Sequence, residues 1–157
     1  MKIYIISLFS VLLLFGASCK KPDAVVSIDI RIKVFNAKGQ DLLSAPIVYD
    51  KNNIIVSHII NGQKEIYSEA NANSHKGFRF MDGGAGLNIL LVYPTLTSEN
   101  TSTTLIQLGT LPPDTIKCEF TRNGNSIYCN KVWLNGELKF SDVPQTNTIP
   151  RELTLVK

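Results

Sequence analysis

Three Asn-Gly dipeptides, Asn61-Gly62, Asn123-Gly124 and Asn135-Gly136, each sit between two runs of strand-forming residues. A type I′ hairpin turn needs positive φ at both central residues, and Asn followed by Gly meets that demand at little steric cost. The chain is therefore expected to fold back on itself three times within antiparallel sheet. The first turn joins residues 54–60 to 63–67 and sets His58 across from Glu65 as a surface pair. The other two join 115–122, 125–134 and 137–140 into a three-stranded meander.

Residues 25–35 alternate. Ile28, Ile30, Ile32 and Val34 share one face, and Ser27, Asp29, Arg31 and Lys33 share the other. A period of two is the mark of a half-buried strand. Further strands are expected at 77–81 and 87–93, joined through Asp82-Gly83-Gly84-Ala85-Gly86, and at 104–108 and 151–156. The polar segments 69–75 and 95–104 read as exposed loops, and nothing after residue 24 repeats with a helical period. These runs predict one all-β domain over 25–157, an antiparallel β-sandwich or open barrel of about eight to nine strands.

The amino terminus has a different composition. Met1-Lys2 precedes sixteen residues, Ile3 to Ser18, without charge or proline. About 20 apolar residues are needed to span a bilayer, so this run suits the core of a signal peptide. Gly16-Ala17-Ser18 then leads into Cys19. Small residues fit a signal peptidase's subsites, and a cysteine at the cut supplies a thiol for diacylglycerol. The junction resembles the lipobox of bacterial lipoproteins, with Gly16 where that box usually has Leu. The resemblance implies a signal peptide at 1–18, lipidation of Cys19 and a lipidated tether at 19–24. An ordinary secretory signal cut elsewhere is the competing reading. Lys20 at the next position, by the same resemblance, implies an outer-membrane address. Which face of that membrane the domain meets stays open.

A turn centred on Asn123-Gly124 places Cys118 directly opposite Cys129, with Phe120 opposite Ile127. Facing residues of an antiparallel pair lie within disulfide reach, and secreted proteins occupy oxidising compartments. A Cys118–Cys129 disulfide is expected; two reduced, buried thiols are the alternative. Whether the loop holds two or four residues, which decides the strain at that pair, is open. The same face would carry Trp133, Leu138 and Phe140 into the core.

Chemistry is sparse. Sixteen Lys and Arg against thirteen Asp and Glu leave +3, too mild a charge for a nucleic-acid partner. The chain has no G-x-S-x-G, HExxH, CxxC or EF-hand spacing, so neither catalytic residues, cofactor nor metal is expected. The glycine-rich 82–86 loop lacks the Lys-Ser/Thr and the helix of a phosphate cradle and reads as a hairpin connection. Trp133, Tyr93, Tyr128 and Asp82 are the candidate ligand contacts.

The stretches IDIRIKVFNAKGQDLL, INGQKEIY and DTIKCEFTRNGNSIYCNKVWLNGELKF, following the Cys19 junction, resemble small cell-envelope lipoproteins of Bacteroidota. That resemblance implies an envelope location and an all-β domain, and brings no activity with it. The expected partners are the membrane, through lipid on Cys19, and an envelope protein or glycan. Three functions are expected in descending order: a non-enzymatic envelope module, a carbohydrate- or peptide-binding accessory module of an uptake system, and a hydrolase built across loops from Asp82, Glu69 and His75.

Overall fold

The computed structural model describes residues 24–67, 76–142 and 150–157. Cys19, the signal segment, Glu69 and His75 lie outside the described residues. Among the described residues there is no helix, and eleven strands form two sheets.

The strands are β1 (Val26–Ser27), β2 (Ile30–Phe35), β3 (Ile54–Ile60), β4 (Gln63–Ile66), β5 (Phe78–Asp82) and β6 (Asn88–Val92). They continue with β7 (Thr101–Leu108), β8 (Asp114–Asn123), β9 (Ser126–Leu134), β10 (Glu137–Ser141) and β11 (Glu152–Val156). One sheet has seven strands, in the order β1-β9-β8-β7-β3-β4, with β10 also paired to β9. The other has four, in the order β11-β2-β6-β5. The inner faces share one apolar core. Ile30, Ile32, Val34, Leu90, Val92, Leu153 and Leu155 meet Ile54, Val56, Ile106, Ile116, Phe120 and Val132 there. Strands that bury one face and wet the other give the sandwich its alternation.

Several expectations need correction. The sheets are mixed, because β1 runs parallel to β9 and β11 parallel to β2. The single strand expected at 25–35 is two, one in each sheet. The alternation hides this break because both sheets turn their inner faces to the same core, so Ile28 and Ile30 point inward on either side of the crossing. The loop expected at 95–104 ends early, since β7 begins at Thr101. Its Ser102 and Thr104 are buried inward while Thr101 and Thr103 stay half-exposed. Polar composition concealed a strand that alternates hydroxyl groups.

The β3–β4 and β9–β10 turns behave as expected. Asn61 and Gly62 have φ of 52° and 78°, and Asn135 and Gly136 have 51° and 87°. The β8–β9 turn slides by one residue. Asn123 pairs with Ser126, which leaves Gly124-Asn125 as the loop, and of these only Gly124 has positive φ, at 56°. That is the type II′ pattern, with Gly in first position. A β-bulge then adds one residue to β9 between the pairs Phe120–Cys129 and Glu119–Lys131.

Slide and bulge together overturn the expected cysteine register. Cys129 faces Phe120, and Cys118 faces Val132. The extra residue, Asn130, reverses the in-out parity of the rest of β9. Cys129 therefore points into the core while Trp133, four residues on, stands on the outer face. Leu138 pairs with Trp133 and is 49% exposed, so of the three residues expected in the core only Phe140 is buried there.

Candidate functional site

Chemistry-bearing side chains collect in two places. The first is a buried seam across the inner face of the seven-stranded sheet. His58 on β3 pairs with Thr104 on β7, and Ser102 on β7 pairs with Cys118 on β8. Cys129 on β9 completes the row, and Arg151, just before β11, reaches into it from the other sheet.

His58 is 2% exposed, and its Nδ1 lies 3.1 Å from the Thr104 hydroxyl. Its ring meets Tyr67 edge-on at 5.5 Å. Nε2 is buried with no hydrogen-bond partner among the described residues. Burial disfavours the imidazolium and lowers the His58 pKa below its ordinary value. Glu65 does sit opposite in register, yet it is exposed, so the expected surface pair becomes a buried histidine held by its other neighbour.

The structure holds Cys118 and Cys129 as free, buried thiols in contact with each other, not as a disulfide. The bulge sets them diagonally instead of face to face. The hydrogen bond from Cys118 favours the Cys129 thiolate, with the nearby Arg151 charge acting in the same direction, and the Cys129 pKa falls. That same bond, with burial, pushes the Cys118 thiol well up. Arg151 is 6% exposed. Its Nε donates to the Cys129 carbonyl at 2.7 Å, its Nη2 donates to the Ser27 hydroxyl at 3.1 Å, and its guanidinium lies 5.9 Å from the Phe140 ring centre. The seam contains a histidine, two thiols and a cation, but each is turned into the core. A nucleophile sealed from solvent has no route to a substrate.

The second place is the outer surface. Arg31, Leu91 and Arg79 form one cross-strand row on β2, β6 and β5. With Asp29, Met81 and Tyr93 they line a shallow cleft of about 220 Å³. Leu91 is 4% exposed although it faces away from the main core. The stems of the long side chains around it supply that cover.

The four candidate contacts do not converge. Tyr93 lines this cleft. Trp133 and Tyr128 stand half-buried on the outer face of the other sheet, where the Lys117 ammonium lies 5.8 Å from the Trp133 ring centre. Asp82 closes its own turn, accepting the Gly84 N–H at 2.7 Å. The glycine-rich segment joins antiparallel β5 and β6, as read from the sequence. Among the described residues no three or more His, Cys, Asp or Glu are placed to hold a metal ion.

No protein-family model, curated protein or solved structure matches this chain. The arginine row was missed in the sequence because Arg31 and Arg79 are forty-eight residues apart and meet only through β6. A faint signal existed: Ile89-Leu90-Leu91-Val92 is apolar on both faces, which a strand needs only if something covers its outer side.

Proposed function

We propose that this chain is a membrane-anchored bacterial envelope lipoprotein whose all-β domain is a non-enzymatic binding module. The anchor reading rests on the Gly16-Ala17-Ser18-Cys19 junction. It is supported by how soon the folded body begins. Val25 already hydrogen-bonds Ile127 at 2.8 Å and Ser126 at 3.1 Å, so only residues 20–24 separate Cys19 from the sandwich. An extended chain covers about 3.3–3.6 Å per residue, so five residues reach less than about 20 Å. A body on so short a tether stays close to the bilayer, with an outer-membrane address implied by Lys20.

The observation that carries the binding reading is the division of side chains. Thiols, imidazole and Arg151 face the core, whereas Trp133, Tyr128, Tyr93, Arg31 and Arg79 face outward. Exposed aromatic and arginine groups are the usual anchors of recognition surfaces. The accessory-module reading, with a glycan or peptide as ligand, gains from Tyr93 lining the same cleft as two arginines.

Incorporation of labelled palmitate tests the anchor. Label is expected on the native chain and absent from Cys19→Ala; label surviving that substitution ends the anchor reading. Cross-linking in intact envelopes followed by recovery of the chain tests the role, with a defined envelope protein or glycan as the expected product.

A further inference from the structure

The row Arg31–Leu91–Arg79 has an electrostatic peculiarity. Neighbouring strands lie about 4.8 Å apart, so the two arginine backbones are about 10 Å apart across Leu91. Both side chains leave the same face of the sheet, and neither guanidinium has an ion-pair or hydrogen-bond partner among the described residues. Glu152 stands opposite Arg31 in register, but its carboxylate is taken by Lys33 at 2.6 Å. Asp29 lines the cleft without pairing to either. Two unpartnered like charges bracketing one apolar residue are unfavourable until an anion bridges them. Guanidinium is also the group whose planar fork best fits a carboxylate or phosphate.

The rest of the cleft defines what carries that anion. Leu91 and Met81 give an apolar floor and Tyr93 gives a half-exposed ring. Asp29 adds an acceptor for hydroxyl groups. A volume of about 220 Å³ falls below the roughly 300–1,000 Å³ of drug-sized pockets and suits one ring.

We propose that this cleft binds an acidic sugar unit, with its carboxylate or phosphate bridged by Arg31 and Arg79 and its ring seated against Tyr93 and Leu91. This deepens the binding-module reading and rests on it; it does not depend on lipid at Cys19. Asp29 takes a ring hydroxyl and disfavours a bare anion, so the sugar and its charge are read together.

The test is a titration of the full chain in neutral detergent, followed by NMR of the arginine Nε–H and tyrosine ring signals. The probes are methyl glucuronide, glucose 6-phosphate, neutral methyl glucoside, inorganic phosphate and vesicles of phosphatidylglycerol. Saturable shifts at Arg31, Arg79 and Tyr93 are expected with the two acidic sugars. Binding at least tenfold weaker is expected for the neutral glucoside, and for the acidic sugars in R31Q, R79Q and Y93A. Retained amide dispersion in each variant shows that the fold is intact. Inorganic phosphate binding as tightly as the acidic sugars overturns the proposal, because the ring would then contribute nothing. Shifts with vesicles alone overturn it in favour of a lipid headgroup, and the absence of saturable shifts overturns it outright. Consumption of a sugar during the titration would uphold the site and refute the non-enzymatic reading.

Discussion

The buried seam between the two sheets and the outer face of the four-stranded sheet both hold arginine, yet they use it in opposite ways. Arg151 is buried, and its guanidinium is spent on the Cys129 carbonyl, the Ser27 hydroxyl and the Phe140 ring. The guanidinium groups of Arg31 and Arg79 stand outside with no ion-pair or hydrogen-bond partner among the described residues. A buried polar group that the fold satisfies belongs to the architecture, since leaving it unpaired is costly. A cation that the fold leaves alone beside an apolar floor is available to something else. The chemistry that looks reactive on paper, a histidine and two thiols, falls on the architectural side.

The largest expected effect tests Arg151. Arg151→Ala strips the Cys129 carbonyl of its buried donor and exposes the Phe140 ring, and should cost about 2–4 kcal/mol in urea unfolding. Arg151→Lys should recover only part of this, because an ammonium cannot reproduce two bonds from one planar fork. A loss under about 1 kcal/mol would remove Arg151 from the architectural class.

His58 gives the seam a pH signature. Its folded pKa lies below the ordinary 6.5 because burial penalises the charged ring. Above pH 6.5 the ring is neutral in both states and folding carries no penalty from it. As pH falls below 6.5 the unfolded chain binds a proton that the folded chain refuses. Stability should therefore decline with falling pH, at up to about 1.4 kcal/mol per pH unit, until the folded pKa is reached. His58→Gln should flatten that decline. Equal slopes in the two proteins would mean that the ring is hydrated in the folded state. The thiols share this enclosure. With reductant present, iodoacetamide should modify neither Cys118 nor Cys129 until denaturant is added.

How much of this was legible in the sequence depends on whether a signal was local. Asn-Gly turns, alternation and the glycine-rich hairpin are local, and they fixed the fold class and most strand positions. The cysteine register was not local, because it passed through one turn whose position admitted a one-residue slide and one bulge at Asn130 with no compositional mark. A one-residue change on one strand moves every later side chain to the opposite face, which is why Trp133 and Leu138 were expected inside. The arginine row was invisible for a simpler reason: cross-strand neighbours through a third strand leave no spacing to read. The turn assignment itself is measurable. Asn135 has φ of 51°, donates to Asp114 Oδ1 at 2.9 Å and accepts the Thr115 N–H at 2.8 Å, so Asn135→Ala should cost about 1–2 kcal/mol. Asn123 lies outside the two-residue loop with ordinary φ, and Asn123→Ala should cost less than about 0.5 kcal/mol. Equal costs would restore the turn to Asn123-Gly124 and remove the slide, leaving the bulge alone to offset the cysteines.

The smallest expected effect is the sharpest test of the contrast. R31Q and R79Q, singly or together, should change unfolding free energy by no more than about 0.5 kcal/mol, the usual range for surface substitutions away from any cap, cavity or network. Glutamine keeps most of the stem that covers Leu91, so packing is largely held while charge is removed. At low ionic strength the double variant should be no less stable than the native chain, since it relieves repulsion between two unpartnered cations, and added salt should narrow any difference. A loss above about 1 kcal/mol would show that these arginines are bound within the protein as Arg151 is. The outer row would then be a second piece of architecture, and the division between sealed and available chemistry would fail on its own terms.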